Sequence, residues 1–237
     1  LVMPVSGDEV LLEPGSEDAL ETGYRSRFSH DSEVAQPGYY AVTLADYDVR
    51  AEMTAGTRVG VHRYTFPSSE AAHLVLDLRS SLYNYPGKVL WSSLRLRDPH
   101  TITGCRQTRG WAPDRVLCFA MRFSAPLTSH AFKDTQKDVA YRGFQGPGRG
   151  TDEVAAKEGR ALVAQLDFGV LTQPLVVKVG ISSVDEAGAL GNLASEPGDF
   201  DTIRAQTKRK WEDALGVLSI DAPRDMRTNL YTALYHS

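Results

Sequence analysis

The residues best placed to do chemistry crowd into one stretch, Arg27-Phe28-Ser29-His30-Asp31-Ser32-Glu33, where a guanidinium, an imidazole and two carboxylates fall within seven positions. Asp31 and Glu33 are spaced by two, so in an extended segment both point to one face. Asp46 and Asp48 repeat that spacing. Paired carboxyl groups about 5–9.5 Å apart are what glycoside hydrolysis uses, one as acid and one as base or nucleophile. Neither pair sits in apolar sequence that would raise one of its pKa values for general-acid work. Asp46 and Asp48 read as hydrogen-bonded turn carboxylates. Asp31 and Glu33, flanked by His30 and Arg27, remain candidates, although a loop whose charges neutralise one another accounts for the same spacing.

Other reactive side chains are scattered. His62, His73, His100 and His130 lack metal-ligand spacing and read as surface or satisfied core histidines. Ser29 beside His30 is no nucleophile pair, because adjacent extended residues face opposite sides. Trp111 follows Gly110 and offers a ring on which a pyranose could stack, or one that packs under a loop. Gln145-Gly146-Pro147-Gly148-Arg149-Gly150 lacks the Lys-Ser/Thr pair of a phosphate loop and reads as a hairpin tip. Cys105 and Cys118 can be two buried thiols or a disulfide.

The elements that must position these residues are mostly strands. Pro37-Gly38 makes a turn, and Tyr40, Val42 and Leu44 alternate after it with one face apolar. Val49, Ala51 and Met53 alternate with charges. Leu1 to Val10, Val59 to Phe66, His73 to Leu78, Leu90 to Arg97, Arg160 to Phe168 and Leu175 to Ile181 extend the pattern. The leucines at 74, 76 and 78 are expected on one face. Val116 to Phe123 is apolar on both faces for most of its length, as for a strand between two layers. Ser124 to Gly159 is loop-like in its middle. About ten short strands with Pro and Gly punctuation suggest a large antiparallel sandwich.

After Ser182 the pattern changes to helices. Asp185 caps a first one, and Asp201 is expected to cap a second, with Ile203, Thr207, Trp211, Ala214, Leu215 and Leu218 on one face. Pro223 opens a third, striped by Met226, Leu230 and Leu234 beside Tyr231 and Tyr235. Those apolar stripes need a surface, either the sandwich or a further helical domain.

Several stretches in order resemble the N-terminal domain of glycoside hydrolase family 92, calcium-dependent exo-acting α-mannosidases. They are the segment from Arg27 to Leu44, Val59 to Pro67, Thr103-Gly104-Cys105-Arg106, Gly110-Trp111-Ala112, Val177 to Val184 and Tyr231 to His236. The resemblance implies a mainly β fold, a large supersandwich of galactose-mutarotase-like type over 1–183. Helical linker segments over 184–237 would then lead towards an (α/α)-barrel catalytic domain. It implies an inverting exo-α-mannosidase of α-1,2 type acting on mannose-containing glycans. In the family, calcium engages the sugar and is bound mainly by the catalytic domain. None of the family's catalytic or metal-binding motifs is present, so no catalytic residue and no metal ligand is assigned. His30, Asp31, Glu33 and Trp111 are the substrate-proximal candidates.

Composition narrows the alternatives. With 42% hydrophobic residues, 20 Gly and 12 Pro, the 237-residue chain suits a turn-rich globular protein with no membrane-spanning run. A net charge of −4 with interspersed signs gives no support for nucleic acid or an anionic membrane as partner. Leu1 is not an initiator and the chain closes inside a helical pattern, so both ends are expected to be cut, and the family's role implies an exported parent. A non-catalytic carbohydrate-binding sandwich is the main alternative. An aldose-epimerase-like activity would need His and Glu on one concave face.

Overall fold

A computed structural model of the chain describes residues 1–81, 85–136 and 155–236. Its strands, numbered in chain order, form two antiparallel sheets. The smaller runs β1 (Val2–Ser6), β6 (Ala71–Asp77), β12 (Leu162–Val170), β10 (Ser129–Asp134). The larger runs β11 (Ala156–Gly159), β7 (Val89–Asp98), β8 (Thr101–Thr108), β9 (Arg115–Phe123), β13 (Leu175–Ser182), β5 (Val59–Thr65), β4 (Val49–Ala55), β3 (Tyr39–Leu44), β2 (Val34–Gln36). The antiparallel sandwich expected from the sequence is therefore present.

Alternation fixes which side of each strand meets the other sheet. Val42, Ala51, Tyr64, Met121, Phe123 and Val177 from the large sheet pack on Leu74, Leu76, Phe132, Leu162 and Leu166 from the small one. The leucine face of β6 is thus core, but its opposite face is also buried. Val75 joins Val5, Tyr24 and Val163 under the N-terminal segment. The polar residues there are paired: Tyr24 donates to Asp77 at 2.8 Å and Arg79 clasps the same carboxylate at 2.9 Å. β9 is covered on both sides as expected, with Ala120 under α1 (Glu186–Ser195) and Met121 in the core.

The count of strands exceeds the expectation because β2, β8 and both ends of the 124–159 interval, β10 and β11, are strands as well. β11, Ala-Lys-Glu-Gly, carries no apolar period, since an edge strand needs pairing more than burial. The Gly-Pro-Gly-Arg-Gly tip lies outside the described residues. Cys105 and Cys118 face each other across β8 and β9 and form a disulfide, which settles the open choice.

The first two helices make the outer layer. Asp185 caps α1 by accepting from Gly188 N at 2.6 Å. Gly180 of β13 lets α1 lie close, for a Cβ there would stand 2.4 Å from the Ala189 carbonyl oxygen. α2 (Phe200–Leu215) is capped by Asp199, which accepts from Thr202 N at 2.8 Å, and not by Asp201 as expected. Asp201 sits in the first turn and pairs with Arg63 at 3.0 Å. Phe200, Ile203 and Thr207 are buried, Trp211 and Leu215 half-buried, and Ala214 and Leu218 exposed. Burying Phe200 and Ile203 stabilises by about 1.5–3 kcal/mol each. α3 (Arg224–Tyr235) has no buried residue, and Met226 is 60% exposed. No helix among the described residues is long and apolar enough to cross a membrane.

Candidate functional site

The charged loop is not extended where its carboxylates stand. His30–Ser32 forms one 3-10 turn, capped by Ser29, whose Oγ accepts from Asp31 N at 3.1 Å. The turn breaks the two-residue alternation, so Asp31 and Glu33 do not share a face. Asp31 is exposed. Glu33 folds back, its Oε2 lying 2.6 Å from His30 Nδ1 while Oε1 accepts from the Tyr40 hydroxyl at 2.6 Å. Bonds from Tyr40 and then His30 hold the Glu33 carboxyl below its ordinary range. The same Glu33 contact, with burial, pushes the Tyr40 phenol up to about 12. A depressed carboxyl is the opposite of what a general acid requires. Arg27 turns away to Asp46, donating from Nε at 2.9 Å and from its backbone at 2.6 Å.

Tyr40 connects this loop to a groove. Tyr40, Met53 and His62 lie side by side across β3, β4 and β5, on the inner face of the large sheet. The four-stranded sheet is too narrow to cover all nine strands. α3 supplies the facing wall with Arg224, Arg227, Tyr231 and Tyr235, and the space between measures 960 Å³.

Helix α3 reaches that position because α2 crosses the rim. On the outer face the Arg63 guanidinium lies 4.2 Å over the Phe200 ring and Arg204 lies 3.6 Å over Tyr39. Thr207 donates to the Ala55 carbonyl at 2.7 Å. Gly38, at φ +79°, ends the two-residue β2–β3 turn, and a Cβ there would meet Thr207 at 2.6 Å and Trp211 at 3.0 Å. Trp211 then packs against Tyr235, ring centroids 4.8 Å apart and planes tilted by 47°, and Tyr231 donates to the Leu218 carbonyl at 2.9 Å.

The chemistry available in the groove is binding. His62 Nδ1 lies 2.7 Å from the Tyr64 hydroxyl, and burial lowers the imidazole pKa to about 4, so the ring is neutral at ordinary pH. No Asp or Glu lines the groove among the described residues. It therefore offers rings, a neutral imidazole and two guanidinium groups, but not the carboxyl pair that cleaves a glycosidic bond. The His and Glu constellation of an epimerase is not met there either.

Trp111 stands apart, fully exposed on the β8–β9 turn, with β13, β5, β4 and β3 between β9 and β2. The structure brings His30 and Glu33 together and leaves Asp31 and Trp111 separate. Other histidines are satisfied, His73 by Asp167 at 2.6 Å and His100 by the Phe123 carbonyl at 3.0 Å. Sequence reasoning missed Met53 and His62. Their shared parity with Tyr40 was readable, but not the overhang that exposes them.

A profile of the glycosyl hydrolase family 92 N-terminal domain matches residues 1–182, and one of the family 92 catalytic domain matches residues 188–237. The chain belongs to glycoside hydrolase family 92. Among solved structures, the family GH92 α-mannosidase BT3965 from Bacteroides thetaiotaomicron superposes over 100% of the chain with a TM-score of 0.88 and 37% identity. A complex of BT3965 with mannoimidazole matches at 38% identity and a TM-score of 0.88. The GH92 family glycosyl hydrolase ccman5 matches 99% of the chain at 27% identity and a TM-score of 0.80. The chain spans only 31%, 30% and 31% of these three relatives. None of the curated proteins compared matches it.

For a family 92 chain the metal question is direct. Calcium takes six to eight oxygen ligands, many of them carboxylates. Among the described residues no three His, Cys, Asp or Glu side chains converge to hold an ion. These residues do not by themselves fit a calcium site, and no step is derived through one.

Proposed function

We propose that this family 92 chain is the N-terminal portion of an inverting exo-α-mannosidase of α-1,2 type, and that its groove forms one wall of the sugar pocket at the junction with a helical catalytic domain. The observation that carries the reading is a groove walled by α3 with no carboxylate among its described lining residues, in a chain matching an α-mannosidase along its whole length. An inverting site holds its acid and base about 6.5–9.5 Å apart to admit a water. With none of these on the groove, both would come from the catalytic domain. Tyr40, Met53 and Tyr231 would exclude water and orient the ring, and the neutral His62 imidazole would offer a hydrogen bond without adding charge. Calcium, held by the catalytic domain in this reading, would polarise the sugar hydroxyls. The Cys105–Cys118 disulfide supports an exported parent, because such bonds persist in oxidising compartments.

The test assays the 237-residue chain and the longer protein carrying it for mannose release from α-1,2-, α-1,3- and α-1,6-linked mannobiose, with and without a calcium chelator. Activity is expected only in the longer protein, greatest on the α-1,2 substrate and lost with the chelator. Hydrolysis by the isolated chain would overturn the division of labour. Appreciable binding of manno-oligosaccharides by that chain would favour the carbohydrate-binding module.

A further inference from the structure

A second cavity opens at the opposite edge of the same sheet end. It measures 840 Å³ and is bounded by Arg79 after β6, Lys88 before β7, Arg109 after β8 and Arg160 before β12. Four cationic side chains line it and, among the described residues, no carboxylate does, in a chain of net charge −4. Arg79 is already compensated by Asp77 and Glu13. Lys88 holds its ammonium 5.4 Å from the Tyr85 ring centroid. Arg109 and Arg160 make no side-chain hydrogen bond or ion pair among the described residues. The Arg109 guanidinium lies over Gly87, where a Cβ would come within 2.8 Å of Nη2.

Like charges gathered around one cavity repel, and an anion relieves that repulsion while guanidinium groups bind it with two parallel bonds. The lining also carries one ring, Tyr85. Tyr85 is 43% exposed and its hydroxyl donates to the Arg109 carbonyl at 2.8 Å. Trp111, at 108% exposure, stands two residues further along the turn. We infer that this cavity takes the anionic substituent of an acidic glycan, a phosphate, sulfate or carboxylate, whose sugar ring lies on Trp111. The identity of the ring rests on the glycan-processing function proposed above, whereas the anion site rests on Arg109 and Arg160 alone.

Calorimetric titration at low salt with mannose, mannose 6-phosphate, mannose 6-sulfate, glucuronic acid and inorganic phosphate tests it and separates the three substituents. At least one acidic sugar is expected to bind about ten-fold tighter than mannose, with affinity falling as salt rises. Arg109→Gln with Arg160→Gln should remove that preference. Both side chains are exposed, and an unchanged melting curve verifies that the fold persists. Trp111→Ala should weaken the acidic sugar and leave inorganic phosphate unaffected. Acidic sugars binding no better than mannose, or a preference surviving the double substitution, would overturn the inference. Equal affinity for inorganic phosphate and sugar phosphate, insensitive to Trp111→Ala, would do the same. Binding is read here and not cleavage, so absence of mannosidase activity would sink the proposed function without touching this site.

Discussion

Glu33 Oε1 accepts a 2.6 Å hydrogen bond from the Tyr40 hydroxyl, and that bond ties the exposed loop to the inner wall of the groove. Tyr40→Phe removes the donor first in importance for holding the Glu33 carboxyl down. The carboxyl should then titrate closer to the ordinary glutamate value of about 4.3. A carboxylate depressed in the folded state stabilises above its unfolded pKa and loses that effect as pH falls through the folded one. The stability gap between wild type and Tyr40→Phe should therefore close in acid. Carbon-detected NMR of the Glu33 carboxyl follows this directly, and identical titration curves would mean the contact does not form in solution.

His62 acts in the same direction over a higher pH window. Burial lowers its imidazole from 6.5 to about 4, so between those values the unfolded chain binds more protons than the folded one. Stability should rise with pH across that window, by up to about 1.4 kcal/mol per unit. His73 works the other way. Its hydrogen bond to Asp167 raises its pKa, giving stabilisation at low pH that fades as pH rises through the folded value. The two are separated by urea melts of His62→Gln against wild type. The difference curve should carry the acid-side slope, and a flat one would show that His62 is solvated.

These two histidines also show where sequence suffices. The leucine alternation in His73 to Leu78, the Pro37-Gly38 turn and the Asp185 cap are local signals, and each produced the element it announced. What failed was non-local. A 3-10 turn at His30–Ser32 is a matter of one cap, and it turned an expected carboxylate pair into a single bridged Glu33. The groove exists because nine strands overhang four and because α3 folds back over the rim, and neither follows from the spacing of Tyr40, Met53 and His62. The Asp199 cap was missed because Asp201, two residues on, carries the same side chain.

The Cys105–Cys118 link closes a segment of sequence separation 13. A loop of about 15 residues corresponds to about 3 kcal/mol in the chain-entropy account. Replacing both cysteines by serine should lower stability by about 2–4 kcal/mol while the strands persist, since β8 and β9 are flanked by β7 and β13. Denaturation with and without reductant checks it. Wild type that is as stable reduced as oxidised would show that the bond adds nothing to the ladder.

The attachment of the helices to the sandwich turns on Phe200, buried between Arg63 and Tyr39. Phe200→Ala should cost about 3–5 kcal/mol, because the cavity sits beneath a helix start pinned by Asp199 and cannot easily collapse. Met226→Ala on α3, where the side chain is 60% exposed, should stay within about 0.5 kcal/mol. Hydrogen exchange adds the spatial test, since Phe200→Ala should deprotect α2 and α3 while the β6 and β12 amides stay slow. Uniform loss of protection would show that the helices and the sandwich unfold as one unit, with the groove wall no weaker than the core it overhangs.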